Sequence, residues 1–367
     1  MKRIVGFLVC AFLAPGLCRA ENEVKIGAML CLTGVCAPTG TASLRGAELA
    51  VSELNAKNGI LGRKVLLRVQ DTREVEVASG AMTAFNNLAL EPGVAVFIGP
   101  TWSNGGMSLV PVFRKRPELI AISPSLGVAD FNEGSPNLFN LWPHDDISTR
   151  GLATVAMHKG WKRAAIVSAQ DSWATTQAQA FAEEFKKLGG EIVITIEPLP
   201  GASDLRTEIF KVVEAKPDVV LFTLWPHMKL AAKELRQLKY AGGLMAVQMD
   251  KVGLATTNGA LEGTVFAQFP ESDPSFVQRF VQKYGESPAL SADTSYDTVM
   301  LVARAAESAG TLAPDQLKAA MSKAEFQGAS GWISLDAVRA IKRKPEFFVV
   351  RGETFARLDG EVGSNEK

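Results

Sequence analysis

Short apolar runs alternate with helical segments along most of the chain, and this alternation is the strongest constraint on the fold. Val94–Ile98 and Val219–Phe222 contain apolar residues only, and a helical pattern follows each of them. Strands without polar alternation are typical of parallel sheets that helices cover on both faces. The pattern therefore predicts an α/β fold built from doubly wound parallel sheets.

The order of strands and helices repeats after about residue 145, which with a length of 367 residues predicts two lobes of similar construction. The predicted strands are Val24–Met29, Val65–Val69, Val94–Ile98, Leu119–Ile122, Arg163–Val167, Glu191–Ile196, Val219–Phe222 and Met245–Gln248. After a helix that includes Leu44, the predicted helices are Gly80–Leu90, Ser103–Phe113, Thr175–Leu188, Leu205–Glu214, Met228–Tyr240, Pro274–Tyr284 and Thr294–Ala309. Two last runs resemble a hairpin, Phe347–Arg351 and Thr354–Leu358.

The first twenty residues have the features of a secretory signal. A positively charged start precedes the mostly apolar stretch Ile4–Leu17, and small residues end the segment at Ala20. We therefore expect cleavage after about Ala20 and a mature chain that begins at Glu21, outside the cytoplasm. The alternatives are a buried N-terminal helix and a lipoprotein anchored at Cys18, although Leu17 stands where lipidated precursors usually carry Gly or Ala.

The net charge argues against nucleic acid as a partner. The chain has 39 basic and 39 acidic residues, and removing Lys2, Arg3 and Arg19 with the signal leaves 36 basic against 39 acidic, a net of −3. Proteins that bind nucleic acid or anionic membranes usually carry an excess of basic residues. We therefore predict no nucleic-acid partner.

Motifs of catalysis and metal binding are missing from the sequence. It contains no G-x-S-x-G elbow and no phosphate-binding loop, and His144, His158 and His227 show no ligand spacing. We therefore predict no metal, no cofactor and no enzymatic activity. Cys31 and Cys36, the cysteines that remain after cleavage, either form a short-loop disulfide or stay as two free thiols.

The strand-to-helix junctions are the expected ligand site, because open parallel sheets bind ligands beyond the carboxyl ends of their strands. Gly99–Ser103 leads from a strand into a helix, and Ser125 follows the next strand. A helix start offers free N–H groups and a positive dipole end to a carboxylate, so Ser103 either binds a ligand or caps its own helix. In the second half, Asp171 and Asp250 follow strands, and Asp250 either holds a ligand ammonium or is a turn residue.

Tryptophan is frequent at these same junctions. Such side chains either pack the lobes together or line an aromatic-walled pocket. The four tryptophans in predicted strand-end loops are Trp102, Trp142, Trp173 and Trp225.

Several motifs resemble those of the periplasmic branched-chain amino acid binding proteins. The most specific stretch is Leu54–Lys64, which reads LNAKNGILGRK. The other matching segments are Lys25–Gly27, Leu32–Gly34, Gly46–Ala50, Phe97–Pro100, Ile122–Ser125 and Lys216–Asp218. The resemblance runs through nearly the whole mature chain.

This resemblance implies a type I periplasmic binding protein fold, in which two α/β lobes joined by three crossovers close over a ligand. We expect residues 21–143 with 270–336 to form the N-terminal lobe and residues 144–269 with 337–367 to form the C-terminal lobe. In such proteins, the closed form delivers its ligand to an ABC-type permease in the inner membrane.

The resemblance also implies roles for individual residues. Relatives bind the ligand carboxylate with a serine that matches Ser103, assisted by the backbone at Ser125 and by a hydroxyl residue where this chain has Gly127. An acid matching Asp250 binds the ammonium, and a tyrosine of relatives matches Trp173. Another aromatic residue of relatives matches Trp225. The predicted ligand-binding set is therefore Trp102, Ser103, Ser125, Gly127, Trp173, Trp225 and Asp250.

Together these features predict an exported solute-binding protein whose ligand is an amino acid. Relatives have an acid at the position of Asp250, and this chain also has one. This favours an amino acid ligand, apolar or branched-chain, over a simple carboxylate. The alternatives are another small carboxylate, such as an aromatic acid, an amide, or a sensory protein with the same kind of pocket.

Overall fold

The computed structural model describes residues 23–225, 227–249, 254–269 and 272–358. The predicted signal segment and the predicted ammonium ligand Asp250 therefore lie outside the described residues.

A five-stranded parallel sheet forms the centre of the first lobe. Its strand order is β2-β1-β3-β4-β5, so the chain starts near the middle and builds outward to both edges. The strands are β1 (Glu23–Leu30), β2 (Lys64–Asp71), β3 (Val94–Ile98), β4 (Ile120–Ser123) and β5 (Leu138–Asn140).

Helices from both ends of the chain cover this sheet. The early ones are α1 (Ala37–Ala56), α2 (Gly80–Ala89), α3 (Ser103–Lys115) and α4 (Ala129–Glu133). The later ones are α9 (Pro274–Tyr284), α10 (Ala292–Ala309) and α11 (Pro314–Ser322), followed by the small hairpin β11 (Phe326–Gly328) and β12 (Gly331–Ile333). Their apolar faces share one core with the sheet, in which Phe276 and Leu301 are grouped with Ile26 and Ile98.

The second lobe is built on a seven-stranded mixed sheet. Its order is β14-β13-β10-β9-β8-β6-β7, with parallel pairing from β7 to β10 and antiparallel pairing at the β13–β14 edge. The strands are β6 (Arg163–Ser168), β7 (Glu191–Ile196), β8 (Val219–Thr223), β9 (Gly243–Ala246), β10 (Val265–Gln268), β13 (Glu346–Arg351) and β14 (Thr354–Arg357). The helices are α5 (Asp145–His158), α6 (Ser172–Lys187), α7 (Arg206–Glu214) and α8 (Met228–Gln237).

The chain passes between the two lobes three times, after β5, after β10 and after β12. The first two passages touch each other, because the Trp142 ring meets Phe269 edge-on with centroids 5.6 Å apart. These crossovers place the carboxyl ends of the parallel strands of both lobes around one shared gap.

The predicted α/β architecture of two parallel-sheet lobes is confirmed, with some differences in detail. The helix predicted around Leu44 begins earlier, at Ala37, and the strand predicted at Met245–Gln248 lies two residues earlier, as Gly243–Ala246. Strands β5, β10, β11 and β12 and helices α4, α5 and α11 were not predicted. No helix among the described residues combines the length and apolar character needed to span a membrane.

Candidate functional site

A cleft of about 640 Å³ lies in the gap between the lobes. On the first lobe its wall includes Ser103 after β3 and Ser125 after β4, and on the second it includes Trp173 after β6, Trp225 after β8 and Gln248 after β9. Each of these follows the carboxyl end of a parallel strand, the location expected for ligands in open α/β sheets. The volume falls in the range of about 300–1,000 Å³ typical of small-molecule sites.

The loop before α3 is held by a buried carboxylate. Glu74 Oε1 accepts hydrogen bonds from the Thr101 N–H at 3.1 Å, the Thr101 hydroxyl at 3.0 Å and the Trp102 N–H at 3.2 Å. Glu74 is 5% exposed, and this burial raises its pKa to about 7. Glu74 therefore satisfies the donors of the loop that leads into α3, while the N–H groups of the first turn of α3 have no partner within the helix.

Ser103 is the first residue of α3, and Trp102 is its N-cap. The helix begins at the predicted residue, and of the two roles left open for Ser103, capping is not the one that the structure shows, because the cap position belongs to Trp102. The Ser103 hydroxyl makes no hydrogen bond to another described residue, and Ser103 lines the cleft. Its side chain is thus available to a ligand rather than used for capping.

Ser125 also lines the cleft, but its own groups hold neighbouring loops. Its N–H donates to Ser123 Oγ at 3.2 Å, and its hydroxyl donates to the Thr101 carbonyl at 2.9 Å. Ser123 Oγ in turn donates to the Pro100 carbonyl at 3.1 Å. Ser125 therefore fixes the wall next to Ser103, and its backbone N–H is already engaged.

Gly127, which belongs to the predicted ligand-binding set, is not among the described residues that line the cleft. It is buried behind the wall, and a Cβ atom at this position would lie 1.8 Å from Asp145 Oδ2. The hydroxyl residue expected from relatives would not fit here, because the Asp145 carboxylate fills its space.

Three of the four junction tryptophans line the cleft, namely Trp102, Trp173 and Trp225. Trp142 instead is 7% exposed and packs at the crossover. Trp173 follows Asp171, which caps α6 by accepting from the Ala174 N–H at 2.9 Å. Burial raises the pKa of Asp171.

Gln248 is a cleft residue that the sequence did not reveal. It lines the second-lobe wall two positions before Asp250, and its buried Oε1 has no partner among the described residues. An amide oxygen accepts hydrogen bonds from N–H and ammonium groups, and because Gln248 Oε1 is buried, the side chain has to move before a ligand can reach it.

The ionisable groups on the described cleft wall are mostly acidic. They are Glu74, Glu76, Asp171 and His227, and no lysine or arginine is among the described lining residues. An anionic ligand would therefore rely on helix-start amides and hydroxyls alone, whereas a ligand with a cationic group also meets carboxylates.

A disulfide joins Cys31 and Cys36, with Cα atoms 5.8 Å apart. It closes the loop that carries Val35, a lining residue whose N–H donates to Glu76 Oε1 at 2.8 Å. Of the two states left open by the sequence, the structure therefore contains the bonded one.

Comparison with models of known protein families shows the family to which this chain belongs. A family model described as "Periplasmic binding protein" matches residues 23–345. This chain is a periplasmic binding protein. Members of the family are extracytoplasmic solute-binding components of ABC transporters and are not enzymes, which agrees with the prediction.

Individual relatives connect this periplasmic binding protein with the branched-chain amino acid group. The Leu/Ile/Val-binding protein BraC3 of Rhizobium johnstonii is 28% identical over 242 residues, which cover 65% of this chain and just under two thirds, 64%, of that protein. The predicted relationship is confirmed.

Solved structures share the fold of this periplasmic binding protein. The leucine binding protein LivK of Thermotoga maritima superposes with a TM-score of 0.83 at 22% identity, covering 91% of this chain and 97% of that one. A solute binding protein of an ABC transporter from R. palustris, in complex with benzoate, gives 0.82 at 21% identity, covering 94% and 100%. Identities this low establish the type I two-lobed architecture and do not fix the ligand of this chain.

Proposed function

We propose that this protein is the solute receptor of an ABC importer and that its ligand is an amino acid with an apolar side chain. The observation that carries the proposal is the charge distribution of the cleft: a helix start with a free hydroxyl at Ser103 on one wall, and carboxylates without lysine or arginine among the described residues of the wall. A zwitterion matches this distribution, because its carboxylate suits the helix start and its ammonium suits an acid.

The ligand carboxylate is assigned to the Ser103 hydroxyl and the first-turn amides of α3. The ammonium is assigned to Asp250, with Gln248 Oε1 as a neighbouring acceptor. The side chain is assigned to the space bounded by Trp102, Trp173 and Trp225. Relatives named as Leu/Ile/Val-binding proteins and as a leucine binding protein support this choice.

The partner in this proposal is an ABC permease of the inner membrane, and the site of action is the periplasm, reached through a signal cleaved after about Ala20. We also propose the lobe boundaries given above, 21–143 with 270–336 and 144–269 with 337–367. Sheet membership supports this division, because β1–β5 belong to the first part and β6–β10, β13 and β14 to the second.

A second candidate is an aromatic carboxylate. The benzoate complex of the R. palustris protein and the three tryptophans of the cleft favour it. Against it stands the acidic wall, since an anion without an ammonium group would lie beside carboxylates and pair with none of them.

The deciding experiment is a thermal-shift screen of the mature protein, freed of bound ligand by unfolding and refolding, against the common amino acids, benzoate and 3,4-dihydroxybenzoate. A true ligand at 100 times its Kd adds about 2.7 kcal/mol to the free energy of unfolding. We expect apolar amino acids to raise Tm and the two benzoates to leave it unchanged, with stoichiometry checked by calorimetry. Stabilisation by a benzoate and by no amino acid would overturn the proposal.

A further inference from the structure

A buried carboxylate behind the cleft holds one of the aromatic walls. Asp145, the first residue of α5, is 2% exposed. Its Oδ2 accepts from the Trp173 indole N–H at 2.7 Å, and its Oδ1 accepts from the Trp142 indole N–H at 3.0 Å. Trp173 lines the cleft, whereas Trp142 packs against Phe269 in the crossovers.

Gly127 provides the room for this arrangement. Its carbonyl accepts from the Asp145 N–H at 3.0 Å, which brings the two backbones together across the lobes. A Cβ atom on Gly127 would lie 1.8 Å from Asp145 Oδ2 and 2.8 Å from Trp173 Nε1. Any side chain there would displace either the carboxylate or the indole, so the glycine and the Asp145–Trp173 pair belong to one unit.

Further hydrogen bonds tie this unit to two helices. The Thr149 hydroxyl donates to Gln177 Oε1 at 2.7 Å and lies 2.9 Å from the Asp145 carbonyl. Gln177 is fully buried, one helical turn beyond Trp173 on α6, and its Nε2 reaches the Gly127 carbonyl at 3.5 Å. The indole is therefore held at its N–H, and the helix that carries it is fixed to α5.

An aspartate suits this position better than its neutral analogue. Two indole N–H groups need two acceptor oxygens, and an asparagine amide offers one oxygen and two donors of its own. Burying a carboxylate is costly unless hydrogen bonds compensate it, so its presence in the core indicates a task that a neutral side chain does less well.

We infer that Asp145 is a positioning residue for ligand selectivity: by holding the Trp173 indole it fixes one wall of the cleft and thereby sets which ligand side chains fit. Gly127 takes part as the position without a side chain. The selectivity half of this inference rests on the proposed amino acid ligand, whereas the positioning of Trp173 does not depend on any ligand.

The positioning half is tested without ligand by ¹H–¹⁵N NMR of the six tryptophan indole N–H groups. Trp173→Phe and Trp142→Phe assign the two resonances. Asp145→Asn should shift both and speed the exchange of the Trp173 N–H with water, while the resonance of Trp332, which is 56% exposed, stays in place as the internal control. A Trp173 resonance that Asp145→Asn does not move would overturn the inference.

The selectivity half is tested by calorimetry with alanine, valine, leucine and phenylalanine. Asp145→Asn and Gly127→Ala should each change the ratio of Kd values between the smallest and largest ligands by about tenfold, the scale on which an apolar pocket separates ligands that differ by a methylene. In a Trp173→Phe background, Asp145→Asn should leave that ratio unchanged.

Equal weakening for all four ligands with a lower Tm would show a merely structural role and contradict the inference. If none of the four binds while the NMR result holds, the proposed function fails and the positioning role stands.

Discussion

The side-chain oxygen of Asn104 accepts two hydrogen bonds from Ser172, one from its N–H at 3.0 Å and one from its hydroxyl at 2.7 Å. Asn104 lies in the first turn of α3 on the first lobe, and Ser172 is the first residue of α6 on the second. A side chain of one lobe therefore satisfies an N-terminal N–H of a helix in the other, and this contact requires the lobes to be close together.

Asn104→Ala is predicted to weaken the binding of every ligand by the same factor. The variant removes both interlobe bonds and so favours separation of the lobes, at a cost of about 1 kcal/mol in binding free energy for solvent-exposed bonds. Kd for leucine and valine by calorimetry, with dissociation rates by stopped-flow fluorescence, measures the effect. Asn104→Asp keeps the acceptor oxygen and should bind nearly as well as the wild type. A loss confined to one ligand would mean that Asn104 touches the ligand directly.

Ser103→Ala is predicted to weaken amino acid binding while leaving the ligand-free Tm almost unchanged. The Ser103 hydroxyl does not cap α3, since Trp102 is the N-cap, so its removal deprives only the ligand of a partner. The loss should be roughly 1–3 kcal/mol of binding free energy. Ser108 on the same helix is the matched control, because its hydroxyl donates to the Gly105 carbonyl at 2.7 Å and Ser108→Ala should leave Kd alone. A lower Tm with unchanged affinity in Ser103→Ala would contradict the binding role.

Asp250→Ala is predicted to abolish the binding of amino acids and to change the ligand-free Tm little. An unpaired ammonium inside a closed cleft costs several kcal/mol. The control is Asp171→Asn, which removes the second-lobe carboxylate of the described wall yet keeps a side chain that caps α6 equally well. Calorimetry with leucine compares the two variants. Tight binding by Asp250→Ala, or loss of binding in Asp171→Asn, would show that the ligand ammonium does not bind at Asp250.

The parts of this structure that local sequence determines were predicted well. Val94–Ile98 and Glu191–Ile196 have the predicted bounds, because a short run rich in apolar and β-branched residues between turn residues signals a strand by itself. Helix α5 was missed because its first turn is polar and its buried apolar residues begin only at Leu152. Strand β5 has only three residues, too few to show a period.

The residues of the candidate site also fall into two groups, those that local sequence predicts and those whose roles depend on distant contacts. Ser103 was found because a strand, a loop and a helix start follow each other within a few residues. The roles of Asp145 and Gly127 were not found, because they depend on Trp173, which is 28 positions from Asp145 and belongs to another helix. The resemblance implied only that relatives have a hydroxyl residue where this chain has Gly127, and the packing shows that the Asp145 carboxylate fills that space.

Glu74→Gln is predicted to change how the stability of the protein depends on pH. Burial raises the pKa of Glu74 from 4.5 to about 7, so between these values the folded protein binds a proton that the unfolded chain has released. The free energy of unfolding of the wild type therefore falls as pH rises through this window, with a contribution from Glu74 on the order of 3 kcal/mol at about 1.4 kcal/mol per pKa unit. The glutamine keeps an oxygen for the Thr101 and Trp102 donors and has no charge to bury, and any cost of placing its amide is the same at every pH.

The difference in unfolding free energy between variant and wild type should thus shift in favour of the variant from pH 4.5 to pH 8, as measured by urea denaturation. Exposed Glu76→Gln serves as the control, and a Glu74→Gln difference that stays constant across this range would contradict the prediction.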